Sequence, residues 1–377
     1  MKGLFKLKKL VFFPSEPIVE YIKKGRTYDY LDKYYNPGEY FDEVYCLSPW
    51  GDKKEERIGK TCYIKLRPYQ FAKKIQEIRP DVVRGYGGYC CADWVSISKV
   101  KGIPTLVSVH DTNPALIHDS LKYADGIICM SKIVKDAVLK KVDMNPDKLW
   151  IMPNRIDIDL FSKKNDEQYF TKLNERFGTG KHILHVGRKA EEKNIDTVIR
   201  ALQFLDDDFK CIFVGQGDIK YYQELAKKCG VNNRCSFVER VPYDELPYWY
   251  SWCDCMCTPS KWEGFGCVFI EAAACEAMIV TSNIAPMKEY LTNGVNSILV
   301  DDFLNPEKLA DAIVVAVSNS KKIVEMRVAA RSVGLKFSKD EIDRQEVEIY
   351  KKIIHGNANN KVNYSLKILW ESRRYRG

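Results

Sequence analysis

Short runs of β-branched and aromatic residues alternate with amphipathic stretches along most of the chain. In the first half, residues 10–13, 81–84, 105–109, 126–130 and 149–152 read as buried strands, with helices predicted near 69–78, 91–100 and 132–140. In the second half, strands are predicted at 182–186, 211–214, 236–238, 253–257, 278–281 and 297–300, again separated by helical segments. Consecutive parallel strands need a crossover, so this alternation implies mostly parallel sheets with helices on both faces. The polar segment 153–178 carries turn residues at Pro153 and Asn154 and joins the two series, so it reads as a linker. After Pro306 the pattern is helical to Ile354. The expectation is therefore α/β, with two doubly wound Rossmann-like domains at 1–155 and 156–340. Residues 341–377 supply a terminal helix, free to cross back to the first domain, and a basic tail.

Composition sharpens this picture in a few places. A chain of 377 residues with 45% hydrophobic and 29% charged residues has enough apolar material for two cores, which excludes a disordered or fibrous protein. The net charge of +8 comes from 59 basic against 51 acidic residues dispersed along the chain. It fits an anionic ligand, and with no nucleic-acid motif beside it no nucleic-acid partner is expected.

The 13 cysteines are odd in number and form no C-x-x-C pair, so they read as reduced thiols in a cytoplasmic protein. The run Cys253-Asp-Cys255-Met-Cys257 has the period of one strand face, and it is expected to be buried strand with no metal bound. The basic start precedes an apolar run of only residues 10–13, so no secretory signal is expected. The longest apolar stretch, 264–282, is interrupted by Glu271 and Glu276 and does not span a membrane. The tail 356–377 combines Lys361, Lys367, Arg373, Arg374 and Arg376 with Leu366, Ile368, Leu369 and Trp370. Three readings stay open for it: peripheral contact with the anionic inner face of a membrane, packing on the first domain, or a frayed end.

Open parallel sheets bind ligands outside the carboxyl ends of their strands, so the chemistry is sought just after strands. Directly after 182–186 comes Gly187-Arg188-Lys-Ala-Glu-Glu-Lys193-Asn194. Gly187 lets the chain turn, and a guanidinium fork plus an ammonium on one strand–helix loop suit a diphosphate. The plainer reading pairs Lys193 with Glu191 or Glu192 at the surface.

The segment Pro259-Ser-Lys-Trp-Glu263-Gly264-Phe265-Gly266-Cys-Val-Phe-Ile-Glu271 also follows a strand and opens a helix. Gly264 and Gly266 permit close backbone approach, and Glu271 sits in an otherwise apolar helix, where a carboxylate requires partners. Carboxylates accept paired hydrogen bonds from the vicinal diols of ribose and hexose. A structural salt bridge is the competing explanation.

With these motifs in place, the sequence resembles the retaining, nucleotide-sugar-dependent glycosyltransferases of family 4, which have the GT-B fold of two Rossmann-like domains facing across a cleft. The resemblance runs from His182-Ile-Leu-His-Val-Gly187-Arg188 through Lys193, Phe237-Val-Glu-Arg-Val241, Leu246-Pro-Tyr-Trp-Tyr250 and the Glu263…Glu271 block to Asn296-Ser-Ile-Leu-Val-Asp301. Upstream it includes Met152-Pro-Asn154-Arg-Ile-Asp157-Ile-Asp159-Leu-Phe161.

The resemblance implies that Arg188 and Lys193 neutralise the diphosphate of a UDP- or GDP-sugar. It places Glu271 on the ribose, Glu263 on hydroxyls of the transferred sugar, and Gly187 and the Gly264-Phe265-Gly266 backbone along the donor. Val241 borders the nucleobase, and His110, after the strand 105–109, stands beside the reacting sugar. The implied catalytic group is His110, Arg188, Lys193 and Glu263. No cofactor or metal is implied beyond the nucleotide-sugar co-substrate, and the partner is a glycan or glycolipid acceptor, as in polysaccharide biosynthesis.

The first domain departs from the family. Where relatives carry a glycine pair after the first strand, this chain has Pro14-Ser-Glu-Pro17, and the loop 85–89 (Gly-Tyr-Gly-Gly-Tyr) is either flexible backbone in its place or an ordinary tight turn. The aromatic-rich stretch 21–45 is read either as core or as an acceptor-stacking surface. Competing functions are a catalytically silent binding subunit of the same fold, a sugar-phosphate-forming synthase, a metal-dependent enzyme using Asp157-Ile-Asp159, and a dinucleotide oxidoreductase, for which Gly215-Gln-Gly217 is only a fragment of the fingerprint.

Overall fold

The computed structural model describes residues 7–51, 53–318 and 320–356. The chain divides into two compact units, one built from residues before 154 and after 339, the other from 154–339. Each is a layered α/β structure around its own sheet.

The first unit contains β1 (Lys9–Phe13), β2 (Glu43–Ser48), β3 (Glu55–Ile58), β4 (Thr61–Lys65), β5 (Val82–Tyr86), β6 (Thr105–Val109), β7 (Gly126–Cys129) and β8 (Leu149–Ile151). Their order is β3-β4-β2-β1-β5-β6-β7-β8, parallel except for the β3–β4 hairpin. β1, β5, β6 and β7 are buried on almost every residue, as expected of strands covered on both faces. β2, β3 and β4 were not anticipated. β3 is the polar, alternately exposed edge strand EERI, which has no apolar run to announce it and exists by pairing with β4.

The aromatic stretch is core only in part: Tyr35 and Phe41 are buried, while Tyr28 and Tyr30 are exposed. Thr27 caps the helix Tyr28–Tyr35 by accepting from the Tyr30 amide, and Tyr35 stacks on Phe12 at 4.0 Å with its edge toward Tyr86 at 4.8 Å.

The loop 85–89 is likewise not loose. Gly85 and Tyr86 are the end of β5, and a Cβ on Gly85 would stand 3.1–3.2 Å from Val95 and Cys91. Gly88 lies so close to the Leu116 carbonyl that a Cβ would stop 2.8 Å from it. The Gly88 carbonyl accepts from the His118 amide at 2.8 Å, and Tyr89 donates to the Ser15 carbonyl at 2.6 Å. This turn is clamped against the Pro14–Pro17 loop, so flexible backbone is the wrong description of it.

The terminal helix Lys339–His355 packs into the first unit through a buried ion pair. Arg84 on β5 meets Glu346 at 2.7 Å, each side chain 1% exposed, and donates further to Ser108 at 2.7 Å and to the Tyr350 hydroxyl at 3.1 Å.

The second unit contains β9 (Lys181–Val186), β10 (Phe209–Val214), β11 (Cys235–Val238), β12 (Cys255–Cys257), β13 (Ile279–Ser282) and β14 (Ile298–Val300), in the order β11-β10-β9-β12-β13-β14 and all parallel. The predicted linker 153–178 is only partly a linker. It holds the helix Glu167–Phe177, capped by Asp166 accepting from the Tyr169 amide at 2.9 Å, with Leu173 buried and Asn174 accepting from Trp252 at 2.9 Å. A helix with one narrow apolar face looks polar when read residue by residue.

The cysteine run is strand only from Cys255. Cys253 closes the helix Leu246–Trp252, its amide donating to the Trp249 carbonyl at 3.1 Å, and all three thiols are buried. Asp157 spends its carboxylate on the amides of Asp159 and Leu160, both at 3.0 Å, which is turn chemistry.

Among the described residues no group of three or more His, Cys, Asp or Glu side chains is placed to hold a metal ion. Among them, too, no helix is long and apolar enough to cross a membrane. The basic tail 357–377 lies outside the described residues.

Candidate functional site

The chain of the second unit runs outward from β9 to β10 and β11, then returns to the other side of β9 for β12, β13 and β14. β9 and β12 are therefore adjacent strands whose following loops diverge, the topological position at which open parallel sheets bind ligands. The two sequence motifs leave the sheet at these two strand ends.

The loop after β9 makes one 3₁₀ turn, Glu191–Lys193, and enters the helix Ile195–Ala201 through Asn194 in the left-handed region (φ 53°). Lys193 crosses to the second motif and pairs with Glu263 at 2.5 Å, the two side chains being 12% and 10% exposed. Glu191 and Glu192 are not its partners, contrary to the plainer sequence reading. Arg188 takes that surface role, bonding Glu192 at 2.6 Å with its side chain 76% exposed. Exposed i,i+4 pairs contribute about 0.5 kcal/mol, so Arg188 is easily drawn to a stronger anion.

Two further contacts stitch the loops together. The Lys261 amide donates to the Glu192 carbonyl at 2.8 Å, and the Lys261 ammonium pairs with Glu191 at 3.2 Å. Ser260 donates to the same Glu263 Oε1 at 2.8 Å, so both of that carboxylate's hydrogen bonds fall on one oxygen.

Glu271 occupies the helix Cys267–Ala274, whose neighbouring positions are buried and apolar. The carboxylate accepts from the hydroxyl of Tyr250 at 3.1 Å on Oε2 and from that of Tyr243 at 3.4 Å on Oε1. These phenols supply the hydrogen bonds that burial demands. Cys267 lies between the two acids: burial first, then Glu271 and Glu263, push its thiol up to about 12, so it stays protonated.

Gly266 has φ 87°, and a Cβ there would meet the Phe269 ring at 2.6 Å. Phe265 turns its ring away from the loop onto Tyr290 and Phe337 at 5.3 and 5.5 Å, and Tyr290 donates to its carbonyl at 2.7 Å. Its side chain therefore supports the Gly264–Gly266 turn. Val241, half-buried, follows β11.

Gly187 and Gly215 set the spacing of the loops. A Cβ on Gly187 would press on the Lys193 stem at 3.2 Å, and one on Gly215 would fall 1.9 Å from the Gly187 carbonyl. Lys189, buried, donates to the carbonyls of Gly215 and of Val238, the latter at 3.1 Å, tying together the ends of β9, β10 and β11.

In the first unit, His110 follows β6 directly. Burial, reinforced by the Arg84 guanidinium, lowers its pKa to about 4, with Glu346 and Asp111 opposing. It is therefore a neutral imidazole at physiological pH.

Several contributors escaped sequence reasoning: Ser260, Tyr243, Tyr250, Lys189 and His185, a wholly buried histidine on β9 beneath the Lys193 turn. Only His185 and Lys189 carried a signal, as polar residues in or beside a buried strand. The phenols and Ser260 are defined by tertiary contacts alone.

Comparison with known proteins bears on this geometry. Residues 167–333 match the model for glycosyl transferases group 1, and residues 43–160 match the model for glycosyltransferase family 4. The D-inositol 3-phosphate glycosyltransferase of Xylanimonas cellulosilytica is 24% identical over 60% of this chain and 57% of its own length. The O-antigen chain mannosyltransferase RfbU of Salmonella typhimurium is 28% identical over 55% of this chain and 62% of its own. The chain thus spans less than two thirds of the length of these curated relatives. Among solved structures, Anabaena Alr3699/HepE in complex with UDP superposes with a TM-score of 0.74 at 18% identity, over 91% of this chain and all of that one. A glycosyltransferase from Rickettsia africae gives 0.75 at 19% identity, over 93% of this chain and all of that one. Both are likenesses of fold. With the two family models covering successive parts of the chain, and two parallel-sheet units in the matching order, the chain belongs to the family 4 glycosyltransferases of the GT-B fold.

Proposed function

We propose that this protein transfers a sugar from a nucleoside diphosphate donor to a hydroxyl of a glycan or glycolipid acceptor, with retention of anomeric configuration and without a metal ion. The reading is carried by one observation: Lys193 and Glu263, from different strand ends, share a single place at the β9/β12 switch point, with Arg188 exposed on one loop and Glu271 held by two phenols on the other.

Breaking the anomeric bond leaves negative charge on the departing nucleoside diphosphate and positive charge on the sugar ring. The Lys193 ammonium has three donors and spends one on Glu263, leaving two for phosphate oxygens. Arg188 adds a fork that exchanges its surface glutamate for the diphosphate. Such donors are each worth about 3 kcal/mol of barrier when well placed, which offers a metal-free route to leaving-group stabilisation. Glu263 keeps Oε2 for a hydroxyl of the transferred sugar, and Glu271 accepts from the ribose diol. The Gly264–Gly266 backbone lies along the sugar, and Val241 borders the nucleobase.

His110, neutral at physiological pH, offers a hydrogen bond to the reacting sugar. The acceptor oxygen attacks from the face the leaving group vacates, and its proton passes to the departing phosphate. The bound UDP of the Anabaena structure and the GDP-mannose in the name of a similar Mycolicibacterium smegmatis mannosyltransferase favour a UDP- or GDP-sugar as donor. A cytoplasmic protein whose basic tail rests on the inner membrane face would meet lipid-linked acceptors there.

Incubation with a panel of UDP- and GDP-sugars, following nucleotide release with and without candidate acceptors, tests the reading. Turnover of at least one donor is expected; binding of a donor with no turnover under any acceptor would favour the silent-subunit alternative.

A further inference from the structure

We infer that His185 is a positioning residue for Lys193, its ring N–H holding the turn that aims the Lys193 ammonium at the donor. The inference rests on the donor reading above and extends it to a side chain that reading does not use.

His185 lies on β9, fully buried, and packs against Phe213 on the neighbouring β10 with ring centroids 5.5 Å apart. Its Nε2 is 3.1 Å from the main-chain carbonyl of Lys193. A carbonyl only accepts, so Nε2 carries the proton and donates; Nδ1 is then the bare nitrogen, and it is buried without a hydrogen-bond partner. An aliphatic residue would fill this core position without burying an unpaired nitrogen. What the imidazole adds is one N–H at the end of a rigid plane, directed at the carbonyl of the residue that carries the ammonium. Burial, together with the nearby Lys193 and Lys189 charges, keeps the ring neutral, so the single donor persists at any physiological pH.

The carbonyl matters because the other tertiary anchors of this turn act on the main chain or side chains of its neighbours, Glu191, Glu192 and Asn194. Glu191–Lys193 is a single 3₁₀ turn, closed by the Lys193 amide on the Ala190 carbonyl at 3.0 Å, and the chain then passes through the left-handed Asn194. Anchors on neighbouring residues come from Lys261, bonded to Glu192, and from Asn194, which donates to the Phe303 carbonyl at 3.2 Å. The His185 bond acts on Lys193 itself. With the Lys193 stem also lying against Gly187, a small shift of its backbone moves the ammonium relative to Glu263 and to any phosphate held there. Displacements of about 1 Å at such a site cost up to about a hundredfold in rate.

The test is a double-mutant cycle on the full chain, with UDP and GDP affinity measured by calorimetry and folding by the thermal transition. His185→Leu is expected to weaken binding of the preferred nucleotide by about tenfold in the otherwise native protein. In a Lys193→Met background it should have no further effect, because the group it positions is gone. His185→Gln, whose amide nitrogen reaches the place of Nε2, should bind within about twofold of the native protein, and His185→Asn, too short to reach, should not; this pair carries the comparison if the leucine variant fails to fold. Equal losses from His185→Leu in both backgrounds, or no loss in the native one, would overturn the positioning role while leaving the donor reading intact. Failure of the native protein to bind either nucleotide would overturn the donor reading, and this inference with it.

Discussion

Lys193 and Glu263, seventy residues apart in sequence, meet at 2.5 Å with both side chains nearly out of solvent. One belongs to the loop after β9 and the other to the loop after β12, so the pair exists only because the chain reverses its direction across the sheet between them. A partly buried ion pair is retained when its members are hydrogen-bonded, and Ser260 supplies that support to Glu263. The same proximity lets one group reach a phosphate while the other reaches a sugar hydroxyl.

Arg188 should separate binding from stability. Its side chain is 76% exposed and its partner lies four residues away. Arg188→Ala is expected to leave the thermal transition unchanged within about 1 °C, since exposed surface changes fall within about 0.5 kcal/mol, while lowering kcat/KM for the donor tenfold or more. Steady-state kinetics beside a melting curve measure both.

Glu271 calls for a gentler substitution than alanine. Glu271→Ala removes the acceptor of the buried Tyr250 hydroxyl and should cost about 1–3 kcal/mol of folding free energy in addition to donor use. Glu271→Gln keeps an oxygen for one phenol and is expected to retain most of the stability while losing donor affinity. Denaturant titrations of the two variants should rank them in that order.

Gly215 is expected to tolerate no side chain. A Cβ would fall 1.9 Å from the Gly187 carbonyl, and φ is 141°. Gly215→Ala should destabilise the second unit by at least about 2 kcal/mol and disorganise the Arg188 loop, read out as a lowered melting transition and lost nucleotide binding.

The buried pair Arg84–Glu346 fastens the terminal helix to β5. Glu346→Ala strands a buried guanidinium and should cost about 3–5 kcal/mol. Limited proteolysis should then cut the helix Lys339–His355 before other segments.

Acid should weaken the fold through His185. Its folded pKa is lowered to about 4 by burial, against the ordinary value of about 6.5. Between those values the unfolded chain binds the extra proton, so this contribution is complete above about pH 6.5 and fades as pH falls toward 4. From pH 7 to pH 5 the loss is about 2 kcal/mol. His110 acts in the same direction. His118, raised by its hydrogen bond to Asp93, acts oppositely, with stabilisation that fades as pH rises past its folded value. Denaturant unfolding of the native protein and of His185→Gln at pH 7 and 5 should show the smaller decline in the variant.

Much of this architecture could be read from the chain because buried parallel strands carry continuous apolar runs: β1, β7 and β10 announce themselves in that way. β3 could not, being polar and defined by its partner, nor could the helix Glu167–Phe177, which buries a single leucine. At the site, the glycine-bounded loops and the isolated acid in an apolar helix were legible as chemistry. Which charges pair was not. Lys193 has glutamates one and two residues away and chooses one seventy residues away, a choice made by strand order that local sequence does not record. The aromatic stretch stayed open between core and ligand surface for a related reason, since stacking on Phe12 and stacking on a sugar use the same side chains.

The most direct measurement of the central claim is a calorimetric titration of UDP and of GDP into the native protein, Lys193→Met and Glu271→Gln. One nucleotide should bind the native chain and bind each variant at least tenfold more weakly, with all three proteins folded. Unchanged affinity in both variants would contradict the claim that these residues grip the donor.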